Sequence, residues 1–171
     1  SELTRGEEER LNQFGRLLAN GDTSIKTVCK EALDIAGGDG SEAAPYTAQL
    51  EVPYGQQKIT AADIVTADEW AECSADADIT EFGTKVNVKV ESADKTAYYI
   101  ITVYPLNITE ITDADAYAFM TEYKELFKKS EVSGDDKALI EKAIEAYTAL
   151  SETAKAALVR NEKGYLENLY I

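Results

Sequence analysis

Residues 46–104 alternate apolar and polar side chains with a period of two, and this pattern constrains the fold more than any other feature. Tyr46, Ala48, Leu50 and Val52 alternate with Thr47, Gln49 and Glu51. Val86, Val88 and Val90 alternate with Asn87, Lys89 and Glu91. Successive side chains of a strand point to opposite faces, so each run predicts a strand with one buried face. Thr96 to Tyr104 follows, with Ile101 and Val103 on one face and Ile100 and Thr102 on the other. Ala93-Asp94-Lys95 between the last two runs reads as a hairpin loop. Lys58–Val65 and Glu69–Cys73 add two further strands, with stops at Pro53-Tyr54-Gly55, Phe82-Gly83 and Pro105.

The flanks carry a helical period instead. Residues 3–20 place Leu3, Leu11, Phe14, Leu17 and Leu18 on one stripe, with Thr4 and Glu7 spaced as a capping box and Asn20-Gly21 as the stop. Thr23 or Ser24 then caps a second predicted helix to about Ile35, on Ile25, Val28, Cys29, Ala32 and Leu33. Gly37-Gly38-Asp39-Gly40-Ser41 is a break and an internal boundary. Beyond Pro105, Thr112 or Asp113 caps a helix to about Lys129. Leu139, Ile140, Ala143, Ile144, Tyr147 and Leu150 form an amphipathic stripe, read as the core of a three-helix unit. Ser151 caps a short helix, Asn161 breaks it, and Tyr165, Leu166 and Leu169 supply the last turns. Strands segregated from helices indicate an α+β chain: an N-terminal helical pair over 1–40, an antiparallel β section over 41–107 and a C-terminal helical bundle over 108–171.

Charge and chemistry narrow the function. Lys plus Arg total 17 against 32 Asp plus Glu, a net charge of −15, which disfavours nucleic acid and anionic membrane surfaces. No apolar run approaches the roughly 20 residues of a membrane span. With no histidine in 171 residues, Ser-His-Asp, Cys-His and His-zinc chemistry are excluded. Cys29 and Cys73 are too few for a disulfide scaffold; they are either one bridge or two core thiols. Ser1-Glu2-Leu3-Thr4 is no secretion signal, so a secreted origin requires a removed signal or a longer parent protein.

Two segments carry a resemblance. Ile140, Ala143, Ile144, Ala146, Tyr147, Leu150, Ser151, Lys155, Ala157, Leu158, Val159, Asn161 and Leu166 match the helical repeats of Gram-positive surface proteins and secreted glycosidases. Residues 137–169 resemble that family, departing at Ala154, where the repeats have Gln before Lys. Tyr46-Thr47, Val52-Pro53-Tyr54-Gly55, Phe82-Gly83, Asp94-Lys95-Thr96 and Tyr99-Ile100-Ile101-Thr102-Val103 make residues 46–104 similar to bacterial cadherin-like and immunoglobulin-like β-sandwiches. Both resemblances imply an extracellular or cell-wall module within a longer protein, serving as a spacer, stalk or binding surface. Residues 1–40 carry no resemblance.

Each candidate site has a plain structural alternative. Glu69 and Glu72 flank Trp70, which suggests either sugar hydrolysis or solvated acids around a core tryptophan. Asp76, Asp78 and Glu81 offer hard oxygens for calcium, but they lack the glycine turn and closing Glu of a helix-loop-helix site, which favours a solvated loop. Asp113 and Asp115 suit a helix start. Among ten tyrosines, Tyr46, Tyr54, Tyr98, Tyr99 and Tyr104 fall in or beside the β section. Exposed aromatics stack on sugar rings; inward ones are core. Tyr98 and Tyr99, being adjacent, face opposite ways.

The expectation is a non-catalytic structural or adhesive module of a bacterial extracellular or cell-surface protein, built as a helical pair, a small β-sandwich and a three-helix bundle. The alternative is an accessory glycan-binding module of a secreted carbohydrate-active enzyme, using Trp70, Tyr54, Tyr98 and Tyr99. Polysaccharide or a host or cell-wall protein is the expected partner, with no catalytic residue, metal or cofactor.

Overall fold

The computed structural model describes residues 4–171; the side chains of 12–17 lie outside the description, and so do Leu3, Phe14 and Leu17 of the expected N-terminal stripe. The chain is mixed α+β. It divides into two compact units: the first takes residues up to Leu50, Lys58–Asp78 and Lys85–Thr102, the second Glu51–Gln57, Ile79–Thr84 and Val103–Ile171.

The first unit opens with α1 (Arg5–Leu18). Its capping box forms: the Glu7 amide donates to Thr4 Oγ1 (3.2 Å), and the Thr4 amide to Glu7 Oε2 (3.0 Å). The helix expected over 23–35 is absent. In its place stand β1 (Ile25–Val28) and β2 (Glu31–Ala32), an antiparallel hairpin. Cys29 and Lys30 form its turn with φ of 49° and 68°, the two consecutive left-handed residues that a tight hairpin needs. The difference has a physical cause. A register shift between Ile25 and Thr27 breaks the two-residue period, so buried Ile25 and Val28 stand three apart and imitate a helix face.

Further along run β3 (Tyr46–Pro53), β4 (Lys58–Thr60), β5 (Ile64–Thr66), β6 (Glu72–Ser74), β7 (Asp76–Asp78), β8 (Thr84–Ser92) and β9 (Lys95–Asn107). The strand expected over Lys58–Val65 is split into β4 and β5 by a single 3-10 turn, Ala61–Asp63, where the Thr60 amide donates to Asp63 Oδ2 (2.9 Å). The acidic stretch at Asp76–Asp78 is a strand paired with β4 in the register Lys58↔Asp78, Ile59↔Ala77 and Thr60↔Asp76. Lys58 Nζ lies 2.7 Å from Asp76 and 4.0 Å from Asp78, which offsets the like charges. β1 is flanked by β2 and β5 in one sheet; a second has the order β3-β9-β8-β6. Two residues, Ala93 and Asp94, join β8 to β9, and so short a connection returns the chain antiparallel. The inward row is Ala48 and Leu50 of β3, Val86, Val88 and Val90 of β8, and Ala97, Tyr99 and Ile101 of β9.

The second unit contains α2 (Ala114–Tyr123), a 3-10 turn at Lys124–Lys128, α3 (Gly134–Ala149), α4 (Glu152–Ala157) and α5 (Glu162–Tyr170). The starts follow from side-chain chemistry. Asp113 Oδ1 accepts from the Ala116 amide (2.9 Å), Ser151 Oγ from Ala154 (3.1 Å), and the Ser133 amide donates to Asp136 Oδ2 (2.8 Å). Leu106, Met120, Leu126, Phe127, Ile140 and Leu166 are fully buried in one core. Phe82 packs into it against Phe127 (ring centroids 4.7 Å) and Tyr165 (5.4 Å). Glu51 pairs with Lys124 (3.0 Å) and Lys128 (2.5 Å).

One pair of neighbours checks the placement of α3. Ile140 is 0% exposed, whereas Leu139, expected on the same stripe, is 42% exposed. Ile140→Ala is expected to lose about 2–5 kcal/mol of stability in chemical denaturation, and Leu139→Ala about 0.5 kcal/mol or less. Equal losses would contradict the placement of this helix.

Candidate binding site

The outer face of the second sheet carries a groove of about 430 Å³. Because side chains alternate, the residues between the buried valines of β8 and the buried Tyr99 and Ile101 of β9 face outward. Asn87 and Lys89 of β8 and Tyr98 of β9 therefore line the groove, joined by Ser74 of β6. Val88, Tyr99 and Ile100 also border it, and Glu42 and Pro45 join from the segment before β3.

That segment is held rigidly by local bonds. The Thr47 amide donates to Gly37 O (2.9 Å), the Asp39 amide to Ala44 O (2.9 Å) and the Ser41 amide to Asp39 Oδ1 (2.8 Å). The Ser41 hydroxyl and the last of these contacts hold the Asp39 carboxyl below its usual range. Gly38 and Gly40 have φ of 83° and 84°. A Cβ at Gly38 would run into the Pro45 carbonyl, and one at Gly40 into the Tyr46 ring, so both conformation and space demand glycine. Gly40 O accepts from the Tyr98 amide (2.8 Å), which ties the loop to the strand that carries the aromatic ring.

Tyr98 is half-buried, and the Lys89 ammonium lies 6.0 Å from its ring centroid. Lys89 also pairs with Glu91 (2.9 Å). Glu91 first, with the Glu42 carboxylate adding to it, raises the Lys89 pKa, so it stays an ammonium. The groove thus offers an aromatic surface, a fixed cation, a carboxylate, an amide and a hydroxyl.

Of the four aromatics predicted from sequence, Tyr98 and Tyr99 border this groove, and Trp70 and Tyr54 do not. Tyr99 is 3% exposed: its hydroxyl donates to Thr23 O (2.6 Å), and its ring stacks on Tyr46 (5.2 Å). Trp70 is 43% exposed on a turn, beside a separate small hollow shared with Ala19, Glu72 and Glu91. Tyr54 belongs to the second unit and is buried. Of the four, Tyr98 is the one whose ring faces outward into the groove. Asn87, Lys89, Ser74 and Glu42 were not predicted. Their signal was present, since Asn87 and Lys89 are the polar partners of the valine strand, but outward polar residues read as solvated. Asp76 and Asp78 are engaged by Lys58, and among the described residues no group of three acidic, Cys or His side chains converges on a metal-sized site. Cys29 and Cys73 are free, half-buried thiols. Burial, then the Asp63 charge, pushes Cys29 up to about 11, and burial raises Cys73, so both stay protonated at neutral pH.

Two buried carboxylates have structural partners. In the first unit Asp68 accepts from the Ser92 hydroxyl (2.5 Å) and from the amides of Trp70 and Asn20 (3.0 Å each). These donors, Ser92 foremost, lower its pKa. The Gly21 amide donates to Ser92 Oγ (2.9 Å), so the end of α1 and the Trp70 turn share one anchor. In the second unit Glu162 is 1% exposed. Its Oε1 accepts from the Tyr54 hydroxyl and both oxygens accept from the Arg160 amide (3.2 and 3.1 Å). The Tyr54 hydroxyl in turn accepts from the Val159 amide (2.7 Å). The Arg160 guanidinium donates to the carbonyls of Tyr54, Gln56 and Ile79.

No protein-family model, no curated protein and no solved structure matches this chain. Among the described residues no helix is long and apolar enough to cross a membrane.

Desolvation raises the Glu162 carboxyl above its usual value of 4.5, more than the Tyr54 and Arg160 donors lower it. The folded state therefore holds this proton more tightly than the unfolded one. The carboxyl favours folding below about 4.5 and loses that contribution as pH rises through its folded value. A neutral amide at this position lacks the titration, so Glu162→Gln is expected to gain stability relative to wild type between pH 4 and pH 7. Denaturation curves across that range check it; a constant or shrinking difference would contradict the assignment.

Proposed function

We propose that the chain is a non-catalytic structural or adhesive module of a bacterial extracellular or cell-wall protein. One observation carries the reading. The buried acids Asp68 and Glu162 are tied to backbone amides and hydroxyls that hold loops and helix ends, while Ser74, Asn87, Lys89 and Tyr98 line an open sheet face. Buried groups hold the scaffold and the outward face makes the contacts. In this reading the strands make a small β-sandwich of the cadherin-like or immunoglobulin-like kind, and α2–α5, which share one core, make the helical bundle of the surface-protein repeats. The N-terminal part enters the proposal as one helix and a hairpin rather than a helical pair.

The groove favours a second reading, an accessory glycan-binding module, because an aromatic ring there is flanked by side chains that pair with hydroxyls.

Retention of the purified chain on immobilised Gram-positive cell walls, insoluble polysaccharides and extracellular-matrix proteins tests the main reading. Retention on at least one surface is expected, with no fragment released from it by mass spectrometry. Release of soluble products by the chain alone would contradict a non-catalytic role.

A further inference from the structure

We propose that the groove around Tyr98 binds an uncharged sugar chain, with one pyranose ring lying against the tyrosine. This rests on the reading of the chain as an adhesive module and names what one of its surfaces holds.

The groove's charges select the ligand. A cationic ligand would be repelled by the Lys89 ammonium, 6.0 Å from the Tyr98 ring centroid. An anionic ligand would meet Glu42 in the lining, Glu91 already engaging the lysine, and the field of a chain with net charge −15. A neutral ligand remains. It must also be rich in hydroxyls: Asn87 and Ser74 both donate and accept, Lys89 donates and Glu42 accepts, and a purely apolar ligand would leave them unpaired. A sugar ring meets both demands. Its C–H face is apolar and packs on an aromatic ring, while its rim presents hydroxyls.

A bound peptide strand fits less well. Peptides add to sheet edges, where main-chain groups are free. This groove lies over β9 and β8, the two inner strands of the order β3-β9-β8-β6, whose main chains have neighbours on both sides. The volume of about 430 Å³ lies within the range of small-ligand sites. The glycine-built loop contributing Glu42 and Pro45 is bonded to itself and to the Tyr98 amide, so little ordering cost is left for binding.

Native affinity gels containing hydroxyethyl cellulose, xyloglucan or, as the anionic comparison, polygalacturonate test the proposal. At least one neutral polysaccharide is expected to retard the chain, and polygalacturonate is not. Tyr98→Ala should weaken the interaction about tenfold, Tyr98→Phe should keep it, and Tyr117→Ala, an exposed tyrosine of the second unit, should not change it. Circular dichroism and melting are read alongside. Should Tyr98→Ala fail to fold, Asn87→Ala at an exposed position decides, and weakened retardation is expected. Absence of retardation by any neutral polysaccharide, retardation by polygalacturonate alone, or retardation unchanged in the folded Tyr98 or Asn87 variant would each overturn the proposal. Retention on a protein surface without any response to sugar would overturn it too, and would leave the adhesive reading standing.

Discussion

Adjacent residues of a strand project to opposite faces, and at the start of β9 this simple constraint separates two tyrosines. Tyr99 goes inward, where its hydroxyl bonds to Thr23 and its ring meets Tyr46. Tyr98 is thereby committed to the outer face, with its amide bonded to Gly40. The same alternation turns Val86, Val88 and Val90 inward and leaves Asn87 and Lys89 beside Tyr98. The groove is a consequence of burying the other side of the sheet. No separate device is needed to build it beyond the glycine loop that walls it.

Buried polar groups serve the two units in opposite electrostatic ways. Asp68 sits among donors from Asn20, Trp70 and Ser92, which more than offset its desolvation and lower its pKa. Glu162 is more deeply enclosed, and its donors do not fully compensate, so its pKa rises. Both are satisfied, and each fixes a loop that the hydrophobic core alone would not define. Arg160 illustrates the point: its guanidinium collects three main-chain carbonyls, from Tyr54, Gln56 and Ile79.

Much of this architecture can be read from the chain because local signals agree with tertiary packing. β3, β8 and β9 as far as Val103 have one buried side, so their period of two survives, and the caps at Thr4, Asp113, Ser133 and Ser151 act within four residues. The 23–35 segment misleads because a bulge spaces Ile25 and Val28 like a helix. β7 escapes notice because its pairing depends on Lys58, distant in sequence. The site is harder. From Ala97 to Tyr104 both faces of β9 are largely apolar, so alternation shows that Tyr98 and Tyr99 differ without showing which is inward. Tyr54 appears as an ordinary strand-end aromatic; it is buried in the second unit's core, and its hydroxyl partner Glu162 lies 108 residues away.

The most direct test of the central claim is residue-resolved hydroxyl-radical footprinting of the tyrosines, with and without a neutral polysaccharide. The account predicts fast modification of Tyr98, slow modification of Tyr99 and Tyr54, and protection of Tyr98 alone when the sugar chain is added. Equal reactivity of Tyr98 and Tyr99, or a Tyr98 rate that no neutral sugar alters, would contradict it.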